Sequence, residues 1–195
     1  MANADSPFGL RPVRYLSGAP YNGAANKYYI PSTDTDTAVY IGSVVKLTGG
    51  ADADGIPVVT GNVSTGNPVV GVVVGVVPVT ADSLIYRANS TSRYVMVADD
   101  PNLVFEVQED AAGGALAATA AGGTAQLTGF TSGSTTTGLS AIEIDSSNLS
   151  ETSDTDDDVR IISAVQRPDN EVGSANSKWL VRLNVHQYVN AAVGV

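Results

Sequence analysis

Short apolar runs, broken by glycine, proline, asparagine and aspartate, recur along the chain from about residue 38. They fall at 38–41, 44–48, 56–60, 69–74, 83–87, 93–98 and 103–108. They are rich in Val, Ile and Tyr, and each is too short for a core helix, so they predict β-strands. Two of them alternate strictly. Over 94–98, Tyr94, Met96 and Ala98 share one face, with Val95 and Val97 opposite. Over 103–108, Leu103, Phe105 and Val107 oppose Val104, Glu106 and Gln108. The second pattern predicts a half-exposed strand with Glu106 and Gln108 outward. The intervening Asp99, Asp100, Pro101 and Asn102 predict a hairpin turn. After residue 124 the pattern resumes, with Ile142 and Ile144 on one face and strands at 158–163 and 178–186. In the last strand Trp179, Val181, Leu183 and Val185 line the apolar face, opposite Lys178, Arg182, Asn184 and His186.

The spacing is that of a barrel or sandwich rather than of βαβ units. The expected class is therefore mainly β: an antiparallel β-barrel or sandwich body, an extended N-terminal arm and a β-rich C-terminal half. Residues 1–37 form the arm in this division, 38–110 a barrel-like domain and 124–195 the second β-rich region. Residues 111–123, an alanine stretch bracketed by glycine pairs, form a linker or short helix. No repeat period of the solenoid kind is visible. In the arm, Pro7, Pro12, Pro20 and Pro31 favour extended backbone, and Phe8, Tyr15, Tyr21, Tyr28 and Tyr29 supply aromatic surface. Such a segment takes its order by packing on its own barrel or on a neighbour.

Composition then narrows the function. The 195 residues carry a net charge of −10 with scattered basic residues, which disfavours a nucleic-acid backbone as partner. The absence of cysteine excludes thiolate chemistry and disulfides and suits synthesis in a reducing cytoplasm. The N-terminus has no basic and apolar export pattern, and the apolar run at 69–79 is too short to span a bilayer, so no membrane partner is expected. The single histidine, His186, falls on the polar face of its strand, as a surface or interface residue would. No nucleophile elbow, metalloprotease motif or phosphate loop is present, so no enzyme, cofactor or metal centre is expected. Asp52, Asp54 and Gly55 resemble the middle of a calcium loop without its closing glutamate, and Asp154 to Asp158 form an acidic loop. Both are better explained as solvated turns. The apolar run is a core strand, or an oligomer interface through Val72, Val74 and Val76.

The opening residues, with Pro7, Phe8, Gly9, Leu10, Arg11, Pro12, Val13 and Arg14 followed by Gly18 to Gly23, resemble those of capsid-associated proteins of tailed bacteriophages. Residues 66–72, 94–110 and 160–173 carry the same likeness. The resemblance is to the decoration, or cement, proteins of phage heads. It implies a structural protein on the outer capsid surface, a homotrimer, with the phage major capsid protein as partner. On this view Phe8, Arg11, Arg14, Tyr15 and Tyr21 of the arm contact the capsid. A head-fibre base, a tail-associated component, or a glycan-binding module on the same scaffold are the alternatives.

Overall fold

The computed structural model describes residues 3–150 and 156–189. Eleven strands follow in chain order. The first six are β1 (Arg11–Tyr15), β2 (Asn26–Ile30), β3 (Val44–Ala51), β4 (Pro57–Thr60), β5 (Gly71–Val76) and β6 (Arg93–Ala98). Then come β7 (Leu103–Gln108), β8 (Thr124–Thr128), β9 (Glu143–Ser150), β10 (Val159–Ala164) and β11 (Lys178–Leu183). One 3-10 turn, Ala118–Ala120, lies in the alanine stretch. The protein is mainly β, as its alternation predicts.

The strands form two units. β2, β4, β3, β5 and β6 close, in that order, into a barrel. The remaining six form a sheet in the order β1-β7-β11-β10-β8-β9. That sheet curls until Glu109, just past β7, meets Ile144 of β9 in a parallel bridge. β7 to β11 therefore make a second ring, closed by a single bridge, with β1 added outside it.

The two rings repeat one design. In each, the first and third strands pair in parallel, and every other pairing is antiparallel. The registers match residue by residue. Val44 faces Val72 and Val45 faces Gly71, as Thr124 faces Arg160 and Ala125 faces Val159. β5 shifts register between Val73 and Gly75, and β10 does so between Ile161 and Ser163, their equivalents. The amide of Val77 donates to Tyr94 O at 2.9 Å, and that of Val165 to Lys178 O at 3.0 Å. The sequence keeps a trace of this. Gly42, Leu47, Thr48 and Gly49 reappear as Gly122, Leu127, Thr128 and Gly129 with the same spacing. The chain thus repeats a five-stranded unit in tandem, more alike in hydrogen bonds than in residues.

Each ring has its own core. Tyr28, Ile30, Val45, Val59, Val73, Val95 and Val97 fill the first. Phe105, Val107, Ala125, Ile144, Ile161, Trp179 and Val181 belong to the second cluster. That cluster also takes in Val44, Val72 and Ala98, which point outward from the first barrel. Their equivalents on the second ring are Thr124, Arg160 and Arg182. The apolar outer face of the first barrel is thus covered within the chain, whereas the second presents a polar one. Burying a valine side chain fully is worth roughly 1.5–3 kcal/mol, so this face contributes substantially to holding the rings together. Backbone bonds stitch the seam: Ser140 N–H to Ile41 O at 2.8 Å, and Gln187 N–H to Val69 O at 2.9 Å.

Several expectations change. β6 and β7 are not a hairpin: β6 belongs to the barrel and β7 to the other sheet, so residues 99–102 bridge the two units. The arm of residues 1–37 is not separate from the body. β1 pairs with β7, and β2 is a stave of the first barrel, because an extended strand satisfies its amides by joining a sheet. The division at 38–110 accordingly differs from the structural one, which runs from β2 to β6 and from β7 to β11. Residues 83–87 form a loop rather than a strand, with one isolated bridge between Arg87 and Val39. β7 is buried on both faces, Glu106 and Gln108 included: Arg167 pairs with Glu106, while Ser6 N–H, Asp5 and Glu143 bond to Gln108.

Candidate interaction surface

The arm is fastened at both ends to its own chain. The Asn3 side chain donates to Glu171 O and Ala175 O, each at 3.0 Å, and accepts from Glu171 N–H at 2.8 Å. Gln108 receives Ser6 N–H and donates to Asp5 and Glu143. Leu10 N–H donates to Gly42 O at 3.0 Å, which ties the arm to the first barrel as well. Arg11 stands opposite Glu106 across the β1–β7 pair, and Glu106 also holds Arg167 through two contacts of 2.7 and 3.1 Å.

Between the arm and β5 lies a shallow groove of 230 Å³. Leu10, Ile41 and Val73 lie beneath it, and Phe8, Arg11, Tyr21 and Val74 border it. The Arg11 guanidinium carbon sits 4.4 Å from the Phe8 ring centre, so the rim carries a cation held by an aromatic face. Tyr21 donates to Ala24 O at 2.9 Å, and partial burial raises its phenol pKa. Three of the five arm residues expected at a partner contact thus line one concavity. Tyr15 lies apart, beside Leu16 and Asn102 in a second hollow. Arg14, half-buried, donates to Tyr15 O at 3.4 Å. Phe8 itself is buried, so its ring supports the Arg11 side chain rather than offering free surface.

The three valines expected at an oligomer contact do not share a face. Val72 is fully buried and Val74 packs beside it in the same cluster, while the register shift after Val73 turns Val76 toward the core of the first barrel. Exposed apolar side chains lie elsewhere: Val79, Leu84 and Ile85 on the long β5–β6 connection are 69%, 50% and 51% exposed, and Leu16, Tyr188 and Val189 are exposed as well. Alternation could not reveal them, because a loop has no period. Tyr40 and Tyr86 stack at 5.0 Å beneath this loop, and Ile85 lies against Gly138.

The charged groups deeper in the protein are structural. Arg87 is fully buried and donates to Thr91 O at 2.8 Å, Thr37 O at 2.7 Å, Pro31 O at 3.0 Å and Asp34 O. It fastens the β5–β6 connection to the β2–β3 connection. Glu109 sits at the position equivalent to Ile30 in the other ring. It accepts from Leu116 N–H at 2.9 Å and Ser177 Oγ at 3.0 Å, and Trp179 donates to the same hydroxyl at 2.9 Å. Burial raises the Glu109 pKa. His186 is buried, contrary to its place on the polar side of the pattern, because residues 185–187 leave the sheet and line up beside Val69. Its Nδ1 accepts from Tyr188 N–H, and burial lowers its pKa. Asp52 accepts from Asp54, Ile56 and the Tyr94 hydroxyl, which makes the 52–55 segment a capped turn. Of the acidic loop, Asp154 lies outside the described residues, and Asp157 and Asp158 bond to Thr124 and to Leu127 N–H. Among the described residues no group of three or more His, Cys, Asp or Glu side chains is placed to hold a metal ion. Compared with protein-family models, with curated proteins and with solved structures, the chain matches none.

Proposed function

We propose that this chain is a non-enzymatic structural protein of a phage virion that binds the outer head surface as a homotrimer and cements neighbouring capsid subunits. The observation that carries the reading is the arm. It is extended, anchored through Asn3, Ser6, Leu10 and the β1–β7 ladder, and borders a groove that joins apolar surface to the Arg11 cation. An arm fastened in this way presents a rigid edge to a partner and loses little conformational freedom on binding. The buried charged groups support a non-catalytic role, since Arg87, Glu106 and Glu109 are each engaged in holding loops or strands. The resemblance of the opening residues and of 94–110 to decoration proteins supplies the partner. Many weak contacts on a symmetric shell add through avidity.

Binding of the purified chain to heads that lack it tests the reading. The expected result is saturation near the copy number of the capsid protein, with occupancy reduced by Arg11→Ala and Tyr21→Ala together. Binding restricted to one or a few positions per particle would instead favour a head-fibre base or tail component. Trimers are expected in sedimentation before any shell is added.

A further inference from the structure

The connection between β1 and β2 carries the one asparagine of the chain that precedes a glycine, Asn22 before Gly23. Both residues are exposed, and Gly23 has φ of 85°. Asn22 Oδ1 accepts Ala24 N–H at 3.1 Å, which curls the side chain back along the Gly23 peptide unit. Among the described residues neither Gly23 N–H nor Asn22 Nδ2 has a hydrogen-bond partner. A Cβ on Gly23 would meet nothing within 4 Å, so the glycine stands clear of the rest of the fold. At other asparagines the following amide is held. Val63 N–H, after Asn62, donates to Gly61 O at 2.8 Å, and Ser90 N–H, after Asn89, to Asp34 O at 3.2 Å. Leu103 N–H, after Asn102, donates to Asp100 O at 3.1 Å. Asn67 precedes Pro68, which has no N–H. Asn26 lies in β2, and its side-chain nitrogen donates to both oxygens of Asp99 at 3.0 and 2.9 Å. The comparable acidic pair, Asp54 before Gly55, has its Gly55 N–H donated to Asp52 O at 3.2 Å.

We propose that Asn22 is a site of self-modification, at which the Gly23 nitrogen closes on the Asn22 side chain and leaves an acidic residue between the two rings. The reaction is intramolecular, so proximity supplies its driving advantage, and glycine leaves the attacking nitrogen unshielded by a side chain. Gly23 N–H loses its proton to hydroxide, and the nitrogen attacks Asn22 Cγ. The Cγ–Nδ2 bond breaks, and ammonia leaves with a proton in exchange for the one lost. Water then opens the cyclic imide. Cleavage of the new Cγ–N bond gives aspartate with the ordinary main chain. Cleavage at the main-chain carbonyl gives isoaspartate, with the chain running through Cγ. The fold makes the change felt. Tyr21 donates from its hydroxyl to Ala24 O at 2.9 Å, closing a loop around residues 22 and 23. Isoaspartate lengthens the main chain inside that loop and weakens the hold on Tyr21, which borders the groove beside Arg11. Either product sets a carboxylate next to Tyr21 in the chain. The change needs no partner and proceeds whether or not the chain binds a phage head.

The full folded chain, held in mildly alkaline buffer, provides the test. Trypsin cuts after Arg14 and Lys27, and mass spectrometry of peptide 15–27 reads Asn22 and Asn26 separately. Enzymatic methylation of isoaspartate distinguishes the two products. Asn22 is expected to convert about tenfold or more faster than any other asparagine of the described residues, and faster as pH rises. Gly23→Ala should slow the conversion by about tenfold, and Asn22→Gln should abolish isoaspartate in that peptide. Circular dichroism confirms that each variant folds. In urea Asn22 should convert within about threefold of its folded rate, while the asparagines whose following amides are held should speed up. The proposal is overturned if the folded chain keeps its amide at Asn22, or if another asparagine converts first. It is also overturned if folded Gly23→Ala converts as fast as the parent chain.

Discussion

Gly42 and Gly122 are the same residue of a repeated unit. Each has φ of 91°, and each donates its amide to the middle of the fourth strand of its ring, Gly42 to Val73 O at 2.8 Å and Gly122 to Ile161 O at 2.9 Å. Their surroundings differ. A Cβ on Gly122 would meet nothing within 4 Å, whereas one on Gly42 would lie 2.6 Å from Phe8 O. Gly122→Ala should therefore cost only the left-handed backbone, ~1–2 kcal/mol. Gly42→Ala adds a backbone collision where the arm crosses the barrel, and should cost roughly 3–5 kcal/mol. Urea midpoints of the two variants, measured side by side, check the difference. Equal losses would mean that the arm does not press on Gly42 in solution.

Arg87 should be among the most sensitive positions in the first barrel. Its guanidinium serves carbonyls of Pro31, Asp34, Thr37 and Thr91, and lies 3.5 Å from the Asp34 carboxylate. Arg87→Ala leaves these acceptors and a carboxylate without their cation, at roughly 3–5 kcal/mol. Arg87→Lys keeps the charge but not the fork, and should recover only part of that loss. Thermal unfolding of both variants gives the ordering. A native-like midpoint for Arg87→Ala would show that the two connections hold without it.

Alternation in the sequence was enough to place most strands and to identify the inward face of β11, since a strand buried on one side declares its face. It could not say which strand pairs with which. The turn at 99–102 looks like a hairpin because Asp, Pro and Asn serve any reversal, yet here it carries the chain from one ring to the next. Glu106 and Gln108 look solvent-facing because a buried carboxylate is rare, and the pairing of Glu106 with Arg167 makes it possible. Arg87 gave no signal for the same reason. The repeat was hidden because few residues are identical in both halves, Gly42, Leu47, Thr48, Gly49, Val77 and Val97 among them, while unequal loops shift every other strand. The groove was partly visible: proline and aromatic content marked out Phe8, Arg11 and Tyr21, but not Ile41 or Val73 beneath them.

Removing residues 1–30 is the obvious way to test the arm, and it should fail as a test of binding. The deletion takes β2, which pairs with β6 along its whole length, and leaves the first barrel with four staves. The expected product is aggregated or unfolded, by circular dichroism and by sedimentation. A folded, monodisperse product would mean that the barrel re-closes without β2. Side-chain changes at Arg11 and Tyr21 leave the ladder intact and are the informative ones.

Asp158 should give the fold an acid-side stabilisation. Burial pushes its pKa up to about 6, although Leu127 N–H and Gly66 N–H, at 2.8 and 3.0 Å, favour the charged form. The folded state therefore binds this proton more tightly than the unfolded chain, whose value is 3.8. Through this group stability rises as pH falls from above 6 toward 4, and is lost again as pH rises. Asp158→Asn should flatten that part of the profile in urea titrations between pH 4 and about 7. An unchanged slope would show that Asp158 is solvated and ionised throughout.

His186 should act in the opposite direction. It is 2% exposed, its Nδ1 accepts the Tyr188 amide at 3.2 Å, and its Nε2 has no hydrogen-bond partner among the described residues. Burial lowers its pKa from the ordinary 6.5. The neutral ring is thus favoured in the folded state, while the unfolded chain takes up a proton below 6.5. The unfolded state binds more protons there, so stability through this group falls as pH drops below 6.5. His186→Asn keeps an acceptor for the Tyr188 amide and removes the titration. Its stability should depend less on pH between 6.5 and the lower pKa of the buried ring than that of the parent chain. Combined with Asp158→Asn, it should leave a profile without either slope. Asp158 lies just before β10 and His186 just after β11, and Gly66, Val69 and residues 185–187 join them to the first barrel. If the double variant shows a pH response larger than either single one, the two groups are coupled across the seam, and their slopes do not add.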